Sequence, residues 1–219
     1  MSCHRVSRRA GVVGLFVLAL SASITTTGAA TLGHAAGMSV SSARVSTFRP
    51  AQLPPACTSQ TVYADVDTWV NQAAATTTYG ADGQVLVRAR GGNAARTLVH
   101  FPLPANPGSC TLGSATLRLF NAPTTGSTGR TIAVNPAATA WDNNTNYNTM
   151  PAPAGTAVNA TSAAGWMTWS VKAHVDAFYA GSNTGFVVRD VNEGGPTVYT
   201  QQFDSLNRPN RPELILLWQ

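Results

Sequence analysis

The residues able to do chemistry are few, and their spacing favours binding over bond-breaking. Hydrolysis of a sugar usually needs two carboxylates. Asp65 and Asp67 stand two apart in an alternating run, which puts them on one strand face. A structural pair or a calcium ligand set suits them better than a catalytic pair, because calcium takes several oxygens. No catalytic residue and no cofactor are therefore expected, and Asp65 and Asp67 are the metal candidates. His100 falls in a predicted strand and His174 on the polar side of a predicted helix. A zinc site or a Ser/His/Asp triad would need more partners at usable spacing. Tyr79, Tyr147 and His100 are the groups from which a polysaccharide lyase would draw its base and acid, but nothing in their spacing brings them together. No Gly-x-Ser-x-Gly, phosphate loop or dinucleotide fingerprint occurs.

Two sets of residues suit a glycan. Arg88, Arg90 and Arg96 cluster around one predicted hairpin, and guanidinium groups hold carboxylates through bidentate, charge-assisted bonds. A uronate polymer would satisfy them. Tyr79, Trp141 and Tyr147 lie in predicted loops, where aromatic rings stack on the C–H faces of pyranoses. These six form the expected ligand-binding set. The competing reading makes Arg88 and Arg90 part of a solvated face, Arg96 a buried fold-stabilising residue and Trp141 a packed loop anchor. Trp69, Trp166, Trp169 and Trp218 lie in or beside strands, where core packing is the better assignment.

The elements that position these residues are mostly strands. Alternating segments run through Val62–Asp67, Val85–Arg90, Thr97–Leu103 and Ala115–Phe120. Further segments are Ile132–Val134, Met167–Val171, Gly185–Val188, Val198–Phe203 and Leu214–Trp218. About nine period-2 segments separated by turn signals argue an all-β sandwich or barrel. At this size a jelly-roll-like antiparallel β-sandwich is expected. One stretch has helical period: Val171, Val175 and Phe178 share a face, with Gly181 as the stop. The Gly91-Gly92 and Gly194-Gly195 pairs read as hairpin turns.

The N-terminus carries Arg5, Arg8 and Arg9, then an apolar run from Gly11 to Ile24 that is too short to span a bilayer. Residues 1–36 read as a secretory signal peptide with cleavage near 30 or 36, exported by the general or the twin-arginine route. Residues 37–60, rich in Ala, Ser, Thr and Pro, read as a flexible linker, and residues 61–219 as one domain. The formal charge of +5 then falls, since removing three arginines leaves 11 Lys+Arg against 9 Asp+Glu. A basic field for nucleic acid is not supported, and the mature chain has no membrane span. Charged residues are only 11% of 219, which with 44% hydrophobic residues excludes a wholly disordered chain. Cys3 leaves with the signal. Cys57 and Cys110 remain as an even pair in an oxidising compartment, so a disulfide is expected between them.

From Tyr63 to Trp218 the segments resemble, in order, the DNRLRE domain, also known as carbohydrate-binding module family 96. Asp67-Thr68-Trp69 stands where that family has its opening Asp-Thr-aromatic strand. Thr78-Tyr79-Gly80 stands at its Asn-Tyr-Gly turn, and Arg96-Thr97-Leu98-Val99-His100-Phe101 fits its Arg-x-Leu-x-x-Phe strand. Ser114 to Leu119 matches a Ser-Ala-x-Leu-x-Leu strand, Trp141 to Pro151 the Trp-centred loop and Val171 to Gly181 the helix. Phe203-Asp204-Ser205 and Arg211-Pro212-Glu213-Leu214 to Trp218 match the close. Asp142 and Tyr147 replace an acidic Glu and a second Trp, and Ser170 replaces the Asp that begins the helix, where it can still cap the first turn. The resemblance implies a secreted β-sandwich module, often fused to polysaccharide-degrading enzymes, with alginate binding among its members.

The expected function is therefore a secreted, non-catalytic carbohydrate-binding module that recognises an extracellular polysaccharide, an acidic one such as a polyuronate. The alternative is a cell-surface structural or adhesion module without glycan specificity. A monomer is expected in either case.

Overall fold

The computed structural model describes residues 57–122 and 128–219. The segment read as signal peptide and nearly all of the linker lie outside the described residues. Eleven strands form: β1 (Ser59–Tyr63), β2 (Val66–Asn71), β3 (Gln84–Ala89), β4 (Ala95–His100), β5 (Leu112–Ala122), β6 (Thr131–Pro136), β7 (Val158–Thr161), β8 (Gly165–Ser170), β9 (Phe186–Asp190), β10 (Tyr199–Asp204) and β11 (Glu213–Trp218). One helix, α1 (Lys172–Ala180), follows β8. Every pairing is antiparallel. The order β1-β11-β5-β10-β3-β4-β9-β6-β7, with β8 on β5 and β2 on β4, describes two layers. One is built on β5 and β11, the other on β4 and β9. The β3–β10 pair joins them, because β3 meets β4 only at Arg88↔Ala95 and β10 meets β5 only at Gln202↔Ala122 and Phe203↔Asn121. This is the expected antiparallel β-sandwich with one short helix.

The main core lies between the layers. Val85, Val87, Leu117, Leu119, Phe186, Phe203 and Leu214 are all buried in it. Strand β5 shows why these residues make strands: its burial alternates over most of its length, as a period-2 pattern demands. A second cluster forms on the far side of β4, where Val70, Leu98, Ala137 and Val187 are buried beneath Trp141, Tyr147 and Met150. That side is closed by the irregular segment between β6 and β7.

Three expectations need correction. The run from Val62 to Asp67 is not one strand. Val62 pairs with Leu214 in β11 while Val66 pairs with His100 in β4, so the chain changes layers at Ala64-Asp65. Val62 and Asp67 are both buried and Val66 is not, so the phase flips there, and a one-residue slip exchanges the two faces. His174 does not lie on a polar face: it is buried with Val175 and Phe178, and its Nε2 has no hydrogen-bond partner. Burial lowers its pKa. Ser170 does not cap the helix, since Val171 occupies the N-cap position and makes no side-chain cap bond. Ser170 instead pairs with Thr116 in the sheet.

Cys57 and Cys110 form the expected disulfide. It fastens the chain two residues before β1 to the chain two residues before β5, across a sequence separation of 53. No described helix is long and apolar enough to cross a membrane. Replacing both cysteines by serine should cost about 4 kcal/mol by the chain-entropy estimate for a loop of that length. Chemical denaturation of the two proteins side by side measures it, and an unchanged midpoint would show that the bridge adds nothing.

Candidate functional site

The structure scatters the six residues expected to bind ligand. Arg96 points away from the main core and is held by Glu193, at 2.8 Å from Nε and 2.7 Å from Nη2. Both side chains are mostly buried, 17% and 16% exposed, and the carboxylate raises the Arg96 pKa further. This is a structural clasp between β4 and the turn after β9. Tyr147 and Trp141 pack on the second cluster, and the Trp141 indole N–H donates to the Thr184 carbonyl at 2.8 Å. Tyr79 stacks on Trp69 with ring centroids 3.8 Å apart. The Gly80 beside it is obligatory, because any Cβ there would lie 2.5 Å from the Asn143 carbonyl oxygen. Arg88 donates to Asn93 at 3.0 Å and to Thr200 at 3.4 Å. Arg90 is exposed in the β3–β4 turn, where the Asn93 amide closes on its carbonyl at 3.0 Å.

Asp65 and Asp67, the metal candidates, are separated by the change of layer. Asp65 is exposed and meets His100 Nδ1 at 2.7 Å. Asp67 is 1% exposed and accepts from the Leu206 amide at 2.6 Å. Among the described residues no group of three or more His, Cys, Asp or Glu converges as a metal site would require. The three groups considered for lyase chemistry are likewise apart: His100 lines a surface cleft with Asp65 and Trp141, and neither Tyr79 nor Tyr147 lines it.

The best-assembled polar cleft holds residues that sequence reasoning passed over. It has a volume of about 260 Å³ and is bounded by Trp69, Asp82, Gln84, Leu86, Gln202 and Arg208. Strand pairing explains the grouping. Leu86 faces Gln202, Gln84 faces Asp204 and Arg88 faces Thr200 across β3–β10, so Gln84, Leu86 and Arg88 line one face of β3 at every second residue. Arg208 comes from the turn after β10. Its Nε donates to the Gly83 carbonyl at 3.2 Å, and a Cβ on Gly83 would lie 2.8 Å from that nitrogen. The turn is fixed by the Ser205 amide on Gly83 O at 3.2 Å and the Arg208 amide on Ser205 O at 3.0 Å, as well as by Asp67 on Leu206. Asp82 takes the Trp69 indole N–H at 2.9 Å. The Nη groups of Arg208 and the side-chain amides of Gln84 and Gln202 have no partner among the described residues. The sequence carries little signal for this cleft: Arg208 sits in Asn-Arg-Pro-Asn-Arg-Pro, which reads as a turn, and Gly83, which holds its side chain, is 125 positions away.

Asp67 ties this turn to β2 at an electrostatic cost. Burial pushes its pKa up to about 6, and the Leu206 amide opposes the shift only partly. A carboxylate raised in the folded state binds its proton more tightly folded than unfolded, so stability is greatest below pH 4 and falls as pH rises to 6. Asp67→Asn keeps an acceptor for Leu206 and cannot ionise. The stability of the native protein relative to this variant should drop by about 2 kcal/mol between pH 4 and pH 7. Urea titrations at the two pH values measure the drop, and parallel profiles would refute it.

No curated protein matches the chain. The chain matches the family model of carbohydrate-binding module family 96 over residues 58–217, which takes in all but the ends of the described sandwich. A two-layer β-fold with pinned loops, a polar cleft of unpaired donors and a matching family model lead to one assignment: the chain belongs to carbohydrate-binding module family 96.

Proposed function

We propose that this protein is a secreted, non-catalytic module that binds an acidic polysaccharide of the polyuronate type along the β3–β10 face. The observation that carries the reading is the state of Arg208. Its Nε is occupied by Gly83 O, its side chain is set over a cleft, and its two Nη groups are left to donate side by side. That geometry suits a carboxylate held bidentately. Gln84, Gln202 and Asp82 offer donors and acceptors for ring hydroxyls, and Leu86 and Trp69 supply apolar surface. The same face continues to Arg88, four residues along β3 from Gln84, or about 13 Å. Two cations at the ends of one track suit a polymer that repeats its charge. The disulfide supports an extracellular setting.

Arg96 is left out of this reading, since Glu193 already takes its Nε and Nη2. The expectation that Arg88 contacts an acidic glycan is kept, with Arg208 as its companion in place of Arg96 and Arg90. Isothermal titration with a hexauronate tests the reading. Arg208→Ala should weaken binding 10- to 100-fold, the worth of a charge-assisted bond, and Arg88→Ala should weaken it less. Gly83→Ala should reproduce part of the Arg208 effect without removing charge. No binding of any polyuronate to the folded protein, or equal binding by Arg208→Ala, would overturn it.

A further inference from the structure

Cleft chemistry elsewhere differs in sign from the Arg208 site. The Trp141 ring, half-buried, is a wall between two depressions. One, of about 200 Å³, includes Asp65, His100 and Asn183. The other, of about 440 Å³, includes Asp142, Asn144 and Thr149. Trp141 and Ala140 line both. The wall is stiff. Trp141 Nε1 donates to Thr184 O at 2.8 Å, and Thr184 Oγ1 donates to Ala137 O at 2.6 Å. On the first side Asp65 Oδ1 meets His100 Nδ1 at 2.7 Å. Asp65 Oδ2 and His100 Nε2 are left without partners among the described residues. Neither depression is lined by Arg or Lys, and each contains a carboxylate.

We propose that the Trp141 wall is a second carbohydrate subsite, one that takes an uncharged pyranose. An indole face presents a flat apolar surface with a polar edge already committed, which suits the axial C–H face of a sugar ring. Asp65 Oδ2 accepts from a ring hydroxyl, and His100 Nε2 gives a second polar contact. Asp65 and Asp142 repel a uronate approaching from either side, since like charges brought together in a partly desolvated cleft are costly. The two subsites lie on opposite faces of one strand. Trp69 is an odd position of β2 and Val66 an even one, and successive side chains of a strand point to opposite faces. One molecule can then engage an acidic and a neutral stretch, or two different chains. The inference rests on the chain being a carbohydrate-binding module and not on the uronate cleft.

The test is nuclear magnetic resonance on the whole protein, titrated to millimolar concentration with neutral hexasaccharides: cello-, laminari-, xylo- and manno-oligomers. At least one should shift the Trp141 indole and His100 ring signals. Asp65→Ala should weaken that binding about tenfold, the worth of a hydrogen bond to a charged group. Arg208→Ala should leave it unchanged. Trp141→Ala should abolish it but also frees the covering segment, so Asp65→Ala and His100→Ala, which leave that segment's anchors intact, decide the matter. The proposal is overturned if no neutral oligomer moves either signal, or if neutral binding is lost in Arg208→Ala and kept in Asp65→Ala. Hexauronate binding, read separately on Arg208→Ala, reports on the acidic cleft alone.

Discussion

Strand β4 is buried on both faces, and the rest of the molecule is arranged around that constraint. Ala95, Thr97 and Val99 face the main core, while Leu98 faces the other way with Val70 and Val187, and all six have no more than trace exposure. A sheet with apolar side chains on its outer face cannot be left to water, at about 1.5–3 kcal/mol for each large aliphatic side chain. The chain between β6 and β7 covers it. Long irregular segments inside a compact domain are uncommon, and this one is held by specific bonds. Ala138 N reaches Ala152 O at 2.9 Å, Asn135 Nδ2 reaches Ala154 O at 3.1 Å, and Trp141 is fixed on Thr184. The loop that must cover a hydrophobic face is also the loop that fixes an aromatic ring at the surface.

Strand β2 carries that constraint to the edge. Among the described residues it pairs only with β4. Its odd positions place Asp67 and Trp69 toward the core side, where they hold the Arg208 turn and the Tyr79 ring. Its even positions place Val66 and Val70 under the covering segment. A single period-2 strand thus supports both clefts, each from its own face.

Charge is used sparingly, which gives the unpaired groups meaning. With charged residues at 11%, most described cations are spent on structure. Arg96, Arg118, Arg130 and Lys172 each hold a carboxylate, and Arg211 lies over the Tyr63 ring at 3.9 Å. Arg88 and Arg208 have only neutral partners. Both lie beside the same face of β3. With few charges of either sign in the sequence, two arginines without carboxylates along one polar track stand out against a surface otherwise built from Thr, Ser, Asn and Gln.

These facts also explain what the sequence could and could not tell. Alternation exposed β3, β5, β8 and β11, because one face of each is buried and the other is not. It also placed Val171, Val175 and Phe178 on the inner side of α1. It joined β1 to β2, because the change of layer at Ala64-Asp65 leaves no Gly or Pro to mark it and reverses the phase silently. Alternation therefore puts Asp65 and Asp67 on one face, whereas Asp67 is buried and Asp65 exposed, and Asp67's partnership with the backbone of Leu206 lies 139 positions away. Strand β7, Val-Asn-Ala-Thr, escapes the pattern because it is only four residues long and its inward pair, Val158 and Ala160, is small and only partly buried against the main core. The arginine cluster around the hairpin was visible as a cluster, but its members face different neighbours once β3 leaves β4 for β10. Local pattern reports which residues can be buried. It does not report which loop from the far end of the chain arrives beside them, and both clefts are made by such arrivals.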